Sequence, residues 1–230
     1  MINHKKKFIF LHIPKTGGVS IGQTLNQLSD VYTPYEGFNI HYDVFDKDLF
    51  KDYFVFTFVR NPWDRFYSLY KFKSFLFKHS LSYVIDNLED LWMDFYYPQL
   101  KHKIQDSKEF LDSLRFNKID PIETGKPFFN LFNHMGESIH LASQVNFLKG
   151  HFSGNIDRIP HIDFIGRFEN LQQDFDFVCS KIGFPQTELG HFNRSNKLNV
   201  KYYDVMTDKD KNALQNRFNE DVEMFNYSFK

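Results

Sequence analysis

The chain is poor in cysteine: among 230 residues only Cys179 carries a thiol. A single thiol closes no internal disulfide and builds no cysteine-based metal site, so a stapled scaffold and a zinc ribbon are both excluded. Nothing here demands an oxidising compartment, and a cytoplasmic protein is the expectation. An excess of either charge is also missing, since Lys+Arg 28 against Asp+Glu 29 leaves a formal net charge of -1. That balance argues against a partner selected by a bulk positive field, such as duplex nucleic acid, so any anion must be gripped locally. Long apolar runs are absent as well. The stretch Phe8 to Ile13 is interrupted by His12 and stops at Pro14, far short of the ~20 residues a membrane-spanning helix needs. It is also too short for a signal-peptide core, and a soluble chain is expected. The 8 prolines and 11 glycines are scattered rather than pooled into a linker. With roughly 100–200 residues per domain as the usual range, one domain over residues 1–230 is expected.

What the chain has in quantity is phenylalanine, 29 residues within an aromatic share of 19%. A Phe-rich core is the plain reading, and a surface that stacks on sugars is the sharper one. The pattern along the chain repeats a unit of buried strand, loop and helix. A strand at Lys7 to Ile13 precedes a loop at Pro14 to Gly18. A helix follows from Val19 to about Leu28, where Ile21, Leu25 and Leu28 form one stripe. Tyr53 to Val59 is bulky or β-branched at every position, as in a parallel strand covered on both faces. Pro62 then opens a helix with Trp63, Phe66, Tyr67 and Tyr70 at helical spacing. A third unit runs from Ile162 to Phe168 into a helix at Glu169 to Ile182, stopped by Gly183 and Pro185. Residues 71–160 read as a mostly helical insertion. Thr207 with Asp210 resembles a capping box for a closing helix carrying Leu214, Phe218, Val222 and Phe225. Such repeats predict an α/β fold of three layers, a mainly parallel sheet between helices.

The loop after the first strand, His12-Ile-Pro-Lys-Thr-Gly-Gly-Val-Ser20, sets two glycines, a lysine and two hydroxyls before a helix. Glycines let the backbone turn with N–H groups inward, the helix start adds partial positive charge, and Lys15 adds a full one. Thr16 and Ser20 can donate to anionic oxygens. This is not the nucleotide loop G-x-x-x-x-G-K-[ST], because Lys15 precedes the glycines. His12 reads as a strand residue packed beneath the loop.

A second anchor lies at the end of the Tyr53 strand, in Arg60-Asn-Pro-Trp-Asp-Arg-Phe-Tyr-Ser68. Arg60 sits where open α/β sheets bind ligands, and Ser68 lies two helical turns on. An ion pair with Asp64 is the competing use for Arg60. Arg65 reads as a surface or ion-pair residue.

Together the two stretches resemble the sulfotransferases that use 3′-phosphoadenosine 5′-phosphosulfate (PAPS), in particular the carbohydrate group related to heparan-sulfate 2-O- and chondroitin or dermatan sulfotransferases. Weaker matches continue through Ser143-Gln144, Asp163 to Leu171, His191 to Ser195, and Asp221 to Tyr227. The resemblance implies that Pro14, Lys15, Thr16, Gly17, Gly18, Val19 and Ser20 hold the 5′-phosphosulfate. It implies that Arg60 and Ser68 hold the 3′-phosphate, and that Arg194 and Ser195 belong to a loop closing over the nucleotide. The implied products are the nucleotide PAP and a sulfated carbohydrate, polysaccharide or glycolipid, with no metal. Lys15 is the implied catalytic cation. His41, in the irregular stretch before the Tyr53 strand where relatives carry a histidine, is the candidate base, with Asp43 as an alternative. Arg167 and Glu169 are open between ligand contact and internal ion pair. The basic residues between Lys71 and Lys103 fit an anionic glycan or simply face water. Two other classes stay open from the residues themselves. One is a nucleotide kinase or NTPase with an altered phosphate loop; the other is a non-catalytic glycan-binding module.

Overall fold

A computed structural model of the chain describes residues 1–29, 49–101, 140–148, 161–190 and 200–230. Four strands form one sheet in the order β1 (Ile2–Asn3), β2 (Phe8–Leu11), β3 (Phe54–Val59), β4 (Phe164–Arg167). The pairings β2–β3 and β3–β4 are parallel, and only the short β1 runs antiparallel. This is the expected mixed α/β fold around a mainly parallel sheet. The two-residue β1 carries no alternating pattern, which is why the sequence did not announce it.

The strands were chosen by their side chains. Val55, Phe56, Thr57, Phe58 and Val59 are all fully buried, as a strand covered on both faces requires. On one face Phe8, Phe10, Phe56 and Phe58 pack with Ile21 and Leu25 of α1 (Gly18–Leu28) and with Phe175, Val178 and Ile182 from the helix after β4. The Phe10 and Phe56 rings stack with centroids 5.2 Å apart. On the other face lie Ile9, Leu11 and Val55. Much of the phenylalanine excess is therefore core. After the short α2 (Leu49–Asp52), a second apolar cluster joins α3 (Pro62–Phe72), through Trp63, Phe66 and Leu69, to Trp92 and Tyr96 of the helix Leu88–Lys101 and to Leu214 and Phe218 near the end of the chain.

Two sequence readings need adjusting at helix ends. The helix after β4 begins as a 3₁₀ turn at Phe168–Asn170 and becomes α-helical only over Leu171–Ile182. The closing helix is two, Asp208–Arg217 and Asn219–Met224, separated at Phe218, whose φ of -113° leaves the helical region. Thr207 and Asp210 do form the capping box. The described part of the 71–160 insertion is largely helical; residues 102–139 and 149–160 lie outside the described residues. No helix among the described residues is long and apolar enough to cross a membrane.

The sheet and the helical side are riveted by a buried carboxylate. Asp221, fully buried, accepts from the Ser143 hydroxyl, from the N–H groups of Gln144 and Val145 at 2.9 Å each, and from Gln144 Nε2 at 3.2 Å. The Gln144 amide then pairs with both backbone groups of Arg60, accepting from its N–H and donating to its carbonyl at 2.8 Å. Truncating the carboxylate strands several buried donors at about 1–3 kcal/mol each. Asp221→Ala is therefore expected to destabilise the fold by about 3–5 kcal/mol in equilibrium urea unfolding, against about 1 kcal/mol for Ser143→Ala.

Candidate functional site

Because β2 and β3 are parallel neighbours with Leu11 opposite Thr57, the segments that leave their C-terminal ends emerge side by side. After β2 the chain passes Ile13 and Pro14, both buried, and turns at Lys15, whose φ of 70° lies in the left-handed region. A non-glycine residue held there costs on the order of 1 kcal/mol and calls for a local reason. Thr16 braces the turn by donating its hydroxyl hydrogen to the Ile13 carbonyl at 2.8 Å, so that hydrogen is spent inside the loop. Gly17 caps α1 with φ 86°, which glycine alone adopts without strain, and Gly18 begins the helix. A Cβ on Gly18 would lie 1.9 Å from the His12 ring, so the second glycine is required by close approach. The first N–H groups of α1 have no intrahelical acceptor, which leaves the loop a ring of donors. Val19 and Ser20 complete its first turn.

His12 is not on the strand as expected: the ladder ends at Leu11, and the histidine packs under the helix start. Burial, then the chain's amino terminus and Lys15, push it down to about 3, so it is neutral and poorly suited to carry a proton.

The second segment meets the first directly. Arg60 donates from Nη1 to the Lys15 carbonyl at 3.1 Å and from Nε to Asp64 at 2.9 Å, and its guanidinium lies 3.8 Å from the Phe168 ring centre. The Asp64 ion pair considered from the sequence thus exists, yet it leaves the arginine at the loop rather than drawing it away. Asn61 caps α3, with Pro62 at its start. Ser68, two turns on, is 6% exposed. Arg65 departs from its expected surface role: it is 2% exposed and bonds carbonyls, Pro14 at 2.9 Å and Ala142 at 2.8 Å. Tying Pro14 down from below, it belongs to the loop's foundation. The helical spacing offers no signal for this, because Arg65 lies about 200° around the helix from Trp63, off the stripe of Trp63, Phe66, Tyr67 and Tyr70.

Positive charge is crowded here. Burial lowers the Lys15 ammonium to about 7, and Arg60, Lys73, Arg65 and Lys71 press it in the same direction. Its Nζ lies 3.8 Å above the Phe72 ring. Neither Phe72 nor Lys73 was singled out beside the loop by sequence, since both lie past the end of the periodic helical stripe.

Arg167 and Glu169, left open above, both bond within the chain, Arg167 from a half-buried position and Glu169 from an exposed one. Glu169 accepts from the Asn61 N–H at 2.7 Å and the Tyr227 hydroxyl at 3.0 Å, while Arg167 donates to the Phe225 carbonyl at 2.7 Å. The weaker sequence matches around Ser143, Asp163–Leu171 and Asp221–Tyr227 therefore converge as supports behind Arg60. Beside Ser20 a cavity of about 600 Å³ opens, walled by Leu171, Gln172, Asp176 and residues 186–190. His41, Arg194 and Ser195 lie outside the described residues.

The structure thus brings Pro14 to Ser20 together with Arg60 at the C-terminal end of the sheet, a donor-rich cradle with local positive charge in a chain of net charge -1. No curated protein and no solved structure gives a significant match to the chain. Residues 1–228, nearly the whole length, match the sulfotransferase family. The chain belongs to that family, and its chemistry is transfer of a sulfonate group.

Proposed function

We propose that this sulfotransferase takes the sulfonate of PAPS and delivers it, by in-line displacement, to a hydroxyl of a carbohydrate, polysaccharide or glycolipid acceptor. The observation that carries the proposal is the Arg60 to Lys15 carbonyl bond at 3.1 Å. It joins two anchors that a doubly phosphorylated nucleotide would need within one molecule's reach. The donor supplies a sulfonate already activated on a phosphate, so the protein's tasks are gripping, aligning and proton removal. The backbone N–H groups from Lys15 to Val19 face the 5′ end, with Ser20 beside them. Lys15 meets the charge that grows on the departing phosphate oxygen, a role in which pre-placed donors are most effective. Arg60 and Ser68 take the 3′-phosphate, Arg194 and Ser195 close the nucleotide in, and the cavity beside Ser20 has the size of a nucleoside site. His41 removes the acceptor proton.

Calorimetry with PAP and ADP, each with and without magnesium, tests the donor: PAP is expected to bind more tightly and without the metal, and a preference for ADP only with magnesium rejects the proposal. Lys15→Met is expected to lower turnover of labelled PAPS by about 10²–10³-fold. The pH dependence follows from the ammonium's position near 7. The bound anion favours the charged lysine, so PAP affinity is greatest at and below neutrality. It falls as pH rises above about 7, toward the higher midpoint of the complex. Lys15→Arg, charged throughout, is expected to flatten that descent in calorimetric titrations. His41→Ala is expected to reduce transfer by about 10²–10⁴-fold while PAP affinity stays nearly unchanged; retained activity on a panel of sugar acceptors moves the role to another group.

A further inference from the structure

The lysine at the centre of this site has an unusual neighbour. Among the described residues no carboxylate pairs with Lys15. Among the described residues the charged groups that act on it are cationic: Arg60 from the end of β3, Arg65 and Lys71 from α3, and Lys73 just beyond α3. His12 and His140, also nearby, are both held below the usual histidine range by burial, with Lys15 adding to the effect. Left to these forces, a four-carbon side chain would swing its ammonium outward to water. It does not, because Nζ rests 3.8 Å from the centre of the Phe72 ring, the last residue of α3.

We propose that Phe72 is the positioning residue for Lys15: the negative face of its ring holds the ammonium at the mouth of the loop and favours its charged form. An aromatic face suits this place better than a carboxylate. A carboxylate would cancel the charge that an anionic ligand must meet and would itself repel that ligand, whereas the ring attracts the cation and carries no net charge. The ring is also half exposed, at 48%, so it reaches the edge where solvent would otherwise compete for the ammonium. Lys73, 5.2 Å from the same ring, adds repulsion that discourages Lys15 from drifting toward α4 (Ser74–Phe77).

The proposal rests on Lys15 as the group that meets the departing phosphate, but its test does not require a ligand. Site-specific replacement of Phe72 by mono-, di- and trifluorophenylalanine drains the ring face while keeping its shape and packing. The Lys15 midpoint is read from the ¹³Cε shift of lysine-labelled protein, assigned by loss of the signal in Lys15→Met. The expected result is a stepwise fall with each fluorine, reaching about half a unit to one unit for the trifluoro ring, with Phe72→Trp restoring the original midpoint. A midpoint constant across the series overturns the proposal, whatever PAP does. PAP calorimetry on the same proteins reads the reaction side: the descent in affinity above neutrality is expected to move down by the same amount, and a descent that stays in place also overturns it. Absence of PAP binding in the unsubstituted protein would instead count against the donor assignment.

Discussion

The site depends on one short contact, the guanidinium of Arg60 bonded to the carbonyl of Lys15. Parallel pairing puts the ends of β2 and β3 next to each other, but adjacency alone would let two cationic loops repel. The bond turns a repulsive approach into an attractive one, because a backbone carbonyl is the one acceptor Lys15 offers. Everything behind Arg60 serves to aim it. Gln144 clamps its backbone on both sides, Asp221 holds Gln144, and Glu169 holds the next residue, Asn61. These are long chains of support for one side chain: Asp221 and Gln144 are fully buried, where a hydrogen bond is worth most, while Glu169 works from an exposed position.

The loop itself is shaped by opposite demands. Its backbone must leave N–H groups unused, which a helix start permits, and must turn sharply, which Gly17 permits and Lys15 tolerates at a cost. The strain at Lys15 is held by neighbours that over-determine it: Thr16 fastened to Ile13, Pro14 fastened by Arg65, and Lys15's own carbonyl fastened by Arg60. A site braced on three sides loses little entropy when an anion enters, so most of the interaction with ligand is available for recognition.

Much of this was legible in the linear chain because its causes are local. Strand ends, the glycine pair, the Asn61-Pro62 helix start and the Thr207 capping box each arise from residues a few positions apart. The supports were not legible for the opposite reason. Gln144 and Asp221 are 77 residues apart, and Asn61 and Glu169 are 108 apart; no periodicity links them, only the matched motifs hinted that they matter. Arg65 is buried for a reason the apolar spacing does not carry: two positions after Trp63 it faces away from that stripe, toward the carbonyls of Pro14 and Ala142, which are distant in the chain. The break at Phe218 escaped notice because the apolar spacing continues across it, with Leu214 and Phe218 on one cluster and Val222 packed against it.

The two buried cations nearest the loop differ in a way that explains their places. Arg65 is almost wholly buried, yet burial lowers it only to about 10, with Asp221 pulling the other way, so it stays charged at any physiological pH. Its planar fork can satisfy carbonyls on two segments at once. Lys15 is less buried yet falls further, to about 7: burial is the main cause, and its charged neighbours among the described residues are cations, with no carboxylate to offset them as Asp221 does for Arg65. A guanidinium thus stands where the charge must be permanent to hold the scaffold. An ammonium stands where the charge should respond to what arrives. An incoming anion removes the disadvantage of the charged state, so the lysine gains its full charge as the ligand is bound, and the free protein avoids the self-repulsion of five fixed positive charges around one loop.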